Sequence, residues 1–319
     1  MRSIGKGSAQ LLLAVLLMTA CRASAEPPSR TFEPPRVPKG ARVVAAAGDI
    51  ACDPSDSDFG GEDPNQCQER ATADLLAEAD AVIPLGDLQY PDGALASYDQ
   101  GYDPTWGKFA DESYPAPGNH DYHIADAGGY FDYWVSKDRP IGPSRSGYYS
   151  WDLGSWHLIA LNSNCEEVGC GEGSPQNDFL EEDLASTTKR CILAYWHHPL
   201  FNSGEQHGDS TPWGAEAFWQ DLSAAGADIV LNGHEHNYQR YGKQDAEGQA
   251  TSDGIREFVV GTGGKSHYGL LDEKEAHYEA GNATDFGVLL LYLGDDSYSW
   301  TFMAVSGAVL DVGGPVPCN

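Results

Sequence analysis

Short apolar runs alternate along most of the chain with segments whose apolar positions recur every three or four residues, the periods of buried strands and of one-sided helices. ARVVAAAGD (41–49) reads as a strand, QERATADLLAEA (68–79) as a helix and AVIPLGD (81–87) as a strand again. Further on, QNDFLEEDLAS predicts a helix, CILAYWHHP a strand, GAEAFWQDLSAAG a helix and DIVLNGHEH a strand. This is a βαβ rhythm. GYYSWDLGSWHLIALNSN and FGVLLLYLGDDSYSWTFMAV look instead like hairpins, so the sheets are expected to be mixed. No internal repeat is visible.

Several of the apolar runs end in metal-type donors. Asp49 closes the first and Asp87 the second, with Tyr90 three positions later. Asn119 and His120 sit in PGNHD, His197 ends CILAYWH, and His234 and His236 end DIVLNGHEH. In α/β sheets functional groups gather beyond the carboxyl ends of the strands, so parallel strands would deliver these groups to one edge. Two carboxylates, an amide oxygen, three imidazoles and a phenol exceed what one ion accepts and suit two ions sharing a bridging carboxylate.

The N-terminus differs from the rest. Arg2 and Lys6 precede an uncharged stretch, GSAQLLLAVLLMTAC, at 7–21, which reads as an export signal and is too short for a membrane-spanning helix. MTAC resembles a lipoprotein signal with Cys21 as the lipid acceptor, while Ala23-Ser24-Ala25 resembles an ordinary cleavage site. A proline-rich segment, EPPSRTFEPPRVPKG at 26–40, reads as an extended tether, with one catalytic-sized domain over 41–319. Setting Cys21 aside leaves six cysteines, and an even set suits an oxidising compartment. Sequence nearness suggests Cys52 with Cys67 and Cys165 with Cys170, leaving Cys191 for Cys318. A zinc cluster is the competing reading, but no two of these lie at C-x2-C spacing.

Charge excludes one class of partner. The formal net charge is −29, and Arg2, Lys6 and Arg22 lie in a leader without acids, so the remainder is more negative still. Duplex nucleic acid is a poor partner for such a surface. An acidic protein acting on a phosphate ester needs a local positive centre, which metal ions supply.

GDIA at 48–51, GDLQY at 86–90, GNHD at 118–121, AYWH at 194–197 and GHEHNYQR at 233–240 resemble, in order, the five blocks of the calcineurin-like metallophosphoesterases. All five together are a specific signal. Many members carry D-x-H in the first block, where this chain has Ala51; GDxxY, with Tyr90, is instead the pattern of the purple acid phosphatase branch. The resemblance implies a four-layer αββα sandwich, two mixed sheets flanked by helices. It also implies Asp49, Asp87, Tyr90 and His236 around Fe3+, and Asp87, Asn119, His197 and His234 around Zn2+, Mn2+ or Fe2+. Gly86 lets the backbone turn tightly at the bridging carboxylate, and a hard phenolate oxygen favours a trivalent ion. Ala194 replaces a frequent valine of the family. In HHP, ligation falls to His197, and strand alternation would point His198 away from the site.

The implied reaction is hydrolysis of phosphate monoesters by direct attack of a metal-bound hydroxide, outside the cytoplasm, without a covalent enzyme intermediate. His120 is the candidate proton donor, with Asp121 orienting it, and His207 matches a substrate-side histidine of the branch. Tyr238 and Arg240 are expected to brace the last block. A phosphodiesterase or nucleotide hydrolase on the same core is the nearer rival, and a metal-binding surface protein without turnover the further one. Aromatic segments such as YDQGYDPTWGKF and TPWGAEAFW can stack a base or pack a core.

Other motifs carry less. His123, His157, His267 and His277 lie outside the blocks and read as surface or structural. GTGGKSH lacks the phosphate-loop spacing and reads as a turn. Asn282-Ala283-Thr284 is a glycosylation triplet that matters only in a eukaryotic secretory route. No G-x-S-x-G elbow is present, which disfavours a serine hydrolase, and a glycosidase carboxylate pair would leave the histidine-rich blocks unexplained.

Overall fold

A computed structural model describes residues 1, 35–61, 63–207 and 215–319. The leader, Cys21 and the first part of the proline-rich segment lie outside the described residues. Among the described residues the strands are β1 (Arg42–Ala47), β2 (Ala81–Pro84), β3 (Tyr149–Leu153), β4 (Trp156–Ala160), β5 (Cys191–Tyr195) and β6 (Ile229–Asn232), then β7 (Tyr238–Tyr241), β8 (Arg256–Val260), β9 (Tyr278–Asn282), β10 (Gly287–Leu293), β11 (Ser297–Ala304) and β12 (Val309–Pro317). They form a five-stranded sheet in the order β12-β11-β10-β1-β2 and a seven-stranded sheet in the order β3-β4-β5-β6-β8-β7-β9. β1 runs parallel to β2 and antiparallel to β10, and β4, β5, β6 and β8 run parallel to one another, while β3–β4, β7–β8, β7–β9, β10–β11 and β11–β12 are antiparallel. The sheets are mixed, as the alternation of crossovers and hairpins implies.

Side-chain alternation explains the layering. In β5, Cys191, Leu193 and Tyr195 enter the core between the sheets, while Ile192 and Ala194 face a second apolar cluster with Leu180, Phe218, Trp219 and Leu222. Those four residues belong to helices Pro175–Ser186 and Ala215–Ala224, which cover the outer face of the larger sheet. Burial on both faces accounts for the unbroken apolar runs. Helix Pro175–Ser186 starts where Ser174 accepts the amide of Asn177 at 3.2 Å and Pro175 occupies the first turn.

The aromatic segment around Tyr98, Tyr102 and Trp106 is buried, as are Phe218 and Trp219, so these rings pack the core. Disulfides join Cys52 to Cys67, Cys165 to Cys170 and Cys191 to Cys318, the pairing that sequence nearness suggests. The last residues before β1 pack on the β10–β11 hairpin: the carbonyl of Arg36 accepts the Ser299 hydroxyl at 2.6 Å and that of Lys39 the Asp295 amide at 3.1 Å. No helix among the described residues is long and apolar enough to cross a membrane.

Candidate metal centre

The parallel strands of both sheets end at one seam. Past β1 and β2 the chains stay paired: the Asp49 amide donates to Gly86 O at 3.0 Å, Ile50 to Asp87 O at 3.0 Å, and Tyr90 to Ala51 O at 2.9 Å. Gly48 N donates across to Val260 O at 2.8 Å, which ties the smaller sheet to the larger. Within the larger sheet, Gly233 N reaches His197 O at 3.0 Å. The donors are therefore set on loops held at both ends by backbone hydrogen bonds. Asp49, Asp87 and His234 adopt φ of +60°, +52° and +70°. Such left-handed backbone costs about 1–3 kcal/mol per residue and persists where the surroundings over-determine it. Gly86 has φ +82°, and a Cβ there would fall 2.6 Å from His197 Nδ1. Only glycine fits that crossing.

All seven expected ligands meet in one cluster, six of them buried and Asn119 partly exposed. The Tyr90 hydroxyl is 3.0 Å from Asp49 Oδ1, 3.1 Å from Asp87 Oδ2 and 3.0 Å from His236 Nε2. Ala51, where many members of the family carry histidine, is fully buried, and its carbonyl accepts the Tyr90 amide. On the far side of Asp87, His197 Nε2 lies 3.3 Å from Asp87 Oδ2, 3.1 Å from Asn119 Oδ1 and 3.3 Å from His234 Nδ1. Asp87 thus belongs to both halves.

The donor set fits cations on physical grounds. His197 Nδ1 faces the Leu85 carbonyl at 2.8 Å and must donate to it, so in the neutral ring Nε2 is a lone pair directed at the oxygens of Asn119 and Asp87. Lone pairs facing lone pairs in a buried site are relieved by a proton or a metal ion. In the metal-free protein the proton wins: burial opposes the charge on His197, but Asp87 and Asp49 outweigh it and push its pKa up to about 9. Burial and then the same two carboxylates hold the Tyr90 phenol far above its usual range. Burial and neighbouring imidazoles push His234 down, the neutral form that a metal takes.

Two histidines flank the cluster. His120 Nδ1 bonds to the Pro91 carbonyl at 2.6 Å, its ring lies 4.4 Å from that of Tyr90, and Nε2 faces Asp87 Oδ2 at 3.9 Å. Asp121 does not orient it. That carboxylate accepts the Gly118 amide at 2.9 Å and the Tyr98 hydroxyl at 2.6 Å, and so holds the turn that presents Asn119. His207 stacks on His234 with ring centroids 4.0 Å apart.

His198 departs from the alternation argument. β5 ends at Tyr195, so strand geometry no longer applies, and His198 is buried 4.4 Å from the His234 ring with Nδ1 against the Ser163 hydroxyl at 2.8 Å. Other contributors have little signature in the sequence. His123 shares the Pro91 carbonyl with His120 at 3.1 Å, and Ser266 orients His236 through Nδ1 at 2.9 Å. Lys265, in the glycine-rich turn after β8, sits over the Tyr90 ring at 5.6 Å. Arg240 and Tyr238 converge on Asp311 at 2.7 Å each, bracing β7 away from the donors. A cavity of about 320 Å³ opens beside Asn119 and His198, walled by Tyr122, His123, Asn164, Glu166 and Glu167. A second depression, of about 650 Å³ between Glu205 and residues 271–276, contains none of the seven donors.

Residues 43–238 match the family model of the calcineurin-like phosphoesterases, and the chain belongs to that family. Among curated relatives it is 28% identical over 148 residues to purple acid phosphatase 15 of Arabidopsis thaliana, covering 42% of this chain and 27% of the relative. It is 28% identical over 225 residues to a nucleotide pyrophosphatase/phosphodiesterase of Hordeum vulgare, covering 61% of each, and 29% over 180 residues to purple acid phosphatase 1 of Ipomoea batatas, covering 51% and 37%. The chain thus spans less than two thirds of the length of these relatives. Among solved structures, the yellow lupin purple acid phosphatase PPD1 superposes with a TM-score of 0.69 at 21% identity, covering 88% of this chain and 54% of that one. GAP50 of Plasmodium, described as the anchor in the inner membrane complex, superposes at 0.61 with 14% identity, covering 88% and 89%. Both likenesses are of fold, and the sandwich of two sheets with outer helices is the metallophosphoesterase fold.

Proposed function

We propose that this chain is an exported, binuclear-metal phosphatase that hydrolyses phosphate monoesters. The observation that carries the reading is the shared carboxylate: Asp87 faces Tyr90 on one side and His197 on the other, within 3.1 Å and 3.3 Å. Asp49, Asp87, Tyr90 and His236 would hold one cation, Fe3+ on the strength of the phenolate, and Asp87, Asn119, His197 and His234 a divalent partner, Zn2+, Mn2+ or Fe2+. When bound, such a pair acidifies water and neutralises charge on the phosphoryl oxygens.

The chain's own residues supply the remainder. His120, whose Nδ1 is committed to the Pro91 carbonyl, exchanges its proton through Nε2 beside Asp87. His207 stands next to His234 for the same leaving group. Three disulfides among the described residues support export. The leader points to a lipid on Cys21 or to free secretion, which separate on metabolic labelling with a fatty acid.

Purified protein should contain two metal ions per chain, show a tyrosinate-to-iron band in the visible spectrum, and cleave an aryl phosphate faster than its diester or free nucleotides. Faster diester or nucleotide cleavage would transfer the reading to a phosphodiesterase or nucleotide hydrolase, which the similarity to the Hordeum vulgare enzyme favours as second choice. Fully metallated protein inert towards all three would make it a metal-binding surface protein.

A further inference from the structure

Glu235 stands between His234 and His236 in GHEH and is fully buried. A buried carboxylate requires partners. Among the described residues its partners are not cationic side chains of Lys or Arg but a single loop. Oε1 accepts the Gln206 amide at 3.1 Å, and Oε2 accepts the His207 amide at 3.1 Å and the Asn202 side-chain amide at 3.4 Å. Oε2 also faces His207 Nδ1 at 2.9 Å. Residues 202–207 are wound about this one side chain so closely that a Cβ on Gly204 would fall 2.0 Å from Glu235 Cδ. The loop has independent anchors: Ser203 N donates to Gln239 Oε1 at 2.7 Å, Glu205 N to Gly269 O at 2.9 Å, and Leu271 N to Ser203 O at 2.9 Å.

A carboxylate only accepts, so Nδ1 of His207 carries one proton in that bond, and the second proton of the imidazolium, on Nε2, is the one given to the leaving group. The carboxylate fixes ring rotation and tautomer together, while stacking on His234 fixes the ring plane. We propose that Glu235 is a positioning residue of the phosphatase reaction, holding His207 beside the metal centre so that its Nε2 serves the leaving group. This rests on the monoesterase reading above.

The test compares wild type with Glu235→Gln, His207→Ala and the double variant on an alkyl phosphate, which needs a proton donor, and on 4-nitrophenyl phosphate, which needs little help. Gln keeps the size and one acceptor but turns its NH2 towards one of the loop's own N–H donors, while the loop's independent anchors at Gln239, Gly269 and Leu271 remain. His207→Ala is expected to lower kcat on the alkyl ester about 100-fold and on the aryl ester less than about 10-fold, within the range for proton transfer. Glu235→Gln should lose about 10-fold on the alkyl ester with KM nearly unchanged, and should add nothing in the His207→Ala background. Multiplying losses in the double variant, equal losses on both esters, or loss of bound metal from Glu235→Gln would each overturn the proposal. A second readout needs no turnover. Nitrogen NMR of the zinc-loaded protein should show His207 protonated at Nδ1 in wild type, with that signal moved in Glu235→Gln, where a neutral carbonyl replaces the carboxylate; a wild-type ring protonated at Nε2 alone overturns the pairing. A wild type inert on every ester would bring down the phosphatase reading alone, since the spectra still judge the contact.

Discussion

The phenol oxygen of Tyr90 lies 3.1 Å from Oδ2 of Asp87, three residues earlier in the chain, and both side chains are buried. Burial, then Asp49 and Asp87, push this phenol far up, so it stays protonated in the metal-free protein and becomes an anion only if a cation displaces the proton. A phenol so placed is poorly explained as a rim aromatic. Tyr90→Phe removes one oxygen and keeps the ring, so folding should be unaffected within about 1 kcal/mol. The expected result is loss of the visible charge-transfer band, weaker retention of one of the two metals on dialysis against chelator, and kcat lower by about 100-fold or more. Retention of the band would remove Tyr90 from the metal shell.

The cavity beside Asn119 and His198 bears on substrate choice, because its wall carries Glu166 and Glu167, both exposed. Their charge faces whatever leaving group enters there. Against a polyanionic leaving group such as a nucleoside diphosphate, each negative charge raises the barrier by a screened Coulomb term of about 0.5–1 kcal/mol. Glu166→Gln/Glu167→Gln should therefore raise kcat/KM on ATP about 5-fold, most at low salt, and leave 4-nitrophenyl phosphate within about twofold. A uniform change on both substrates would show that this cavity does not hold the leaving group.

Much of this architecture is legible in the chain because strand ends and donor residues coincide. Gly48-Asp49, Gly86-Asp87 and Gly233-His234 each close a buried strand with a glycine and a ligand type, so strand order alone predicts a shared edge. What is not legible depends on contacts distant in sequence. Strand alternation fails for His198 because β5 stops at Tyr195, two residues before His197. Glu235 acquires its partners only when residues 202–207 fold over it. β12, VLDVGGPVP, lacks a strand pattern and is held by pairing with β11 and by Asp311, which accepts from Tyr238, Trp300 and Arg240. Helix Gly128–Ser136 opens on two glycines and is fixed by Tyr130, Phe131, Tyr133 and Trp134 in the core, a tertiary effect that outweighs propensity.

The bond between Cys191 and Cys318 closes a loop of 127 residues, the longest of the three. It ties the C-terminus to β5, where the Asn319 amide also donates to Asp228 at 2.8 Å. In the chain-entropy description a loop of this length restricts the unfolded state by about 4–5 kcal/mol, against about 3 kcal/mol for a 15-residue loop. Replacing both cysteines by alanine should thus lower the unfolding free energy by several times 1 kcal/mol and more than removal of Cys52–Cys67. Calorimetry of the two double variants at one metal loading would decide it, and an equal or smaller effect for Cys191–Cys318 would show that strain or residual unfolded structure dominates.

A pH dependence follows from His157 on β4, which lies next to the edge strand β3 of the larger sheet. Its Nδ1 is 2.8 Å from Asp152 Oδ1 and its Nε2 2.7 Å from Asp183 Oδ2. The other groups facing this pair are Lys189, 3.5 Å from Asp152 Oδ2, and the Ser150 hydroxyl, 2.7 Å from Asp183 Oδ1. Burial alone would lower the imidazole pKa, but hydrogen bonds and charge from Asp183 and Asp152 outweigh it and the net shift is upward. Asp152 moves the opposite way: burial raises it, and His157 and Lys189 pull it below the usual carboxylate range. Because the folded state binds the imidazole proton more tightly than the unfolded state, this contribution is fully present below the ordinary histidine pKa of about 6.5 and is lost as pH rises through the higher folded value. The carboxylate contribution is present above the ordinary aspartate range and is lost in acid. Wild type should therefore exceed His157→Gln in Tm most clearly near pH 5.5, with the gap closing towards pH 9. A gap that stays constant across that interval would mean that His157 contributes through packing and hydrogen bonding in its neutral form, and that the two carboxylates do not hold it charged.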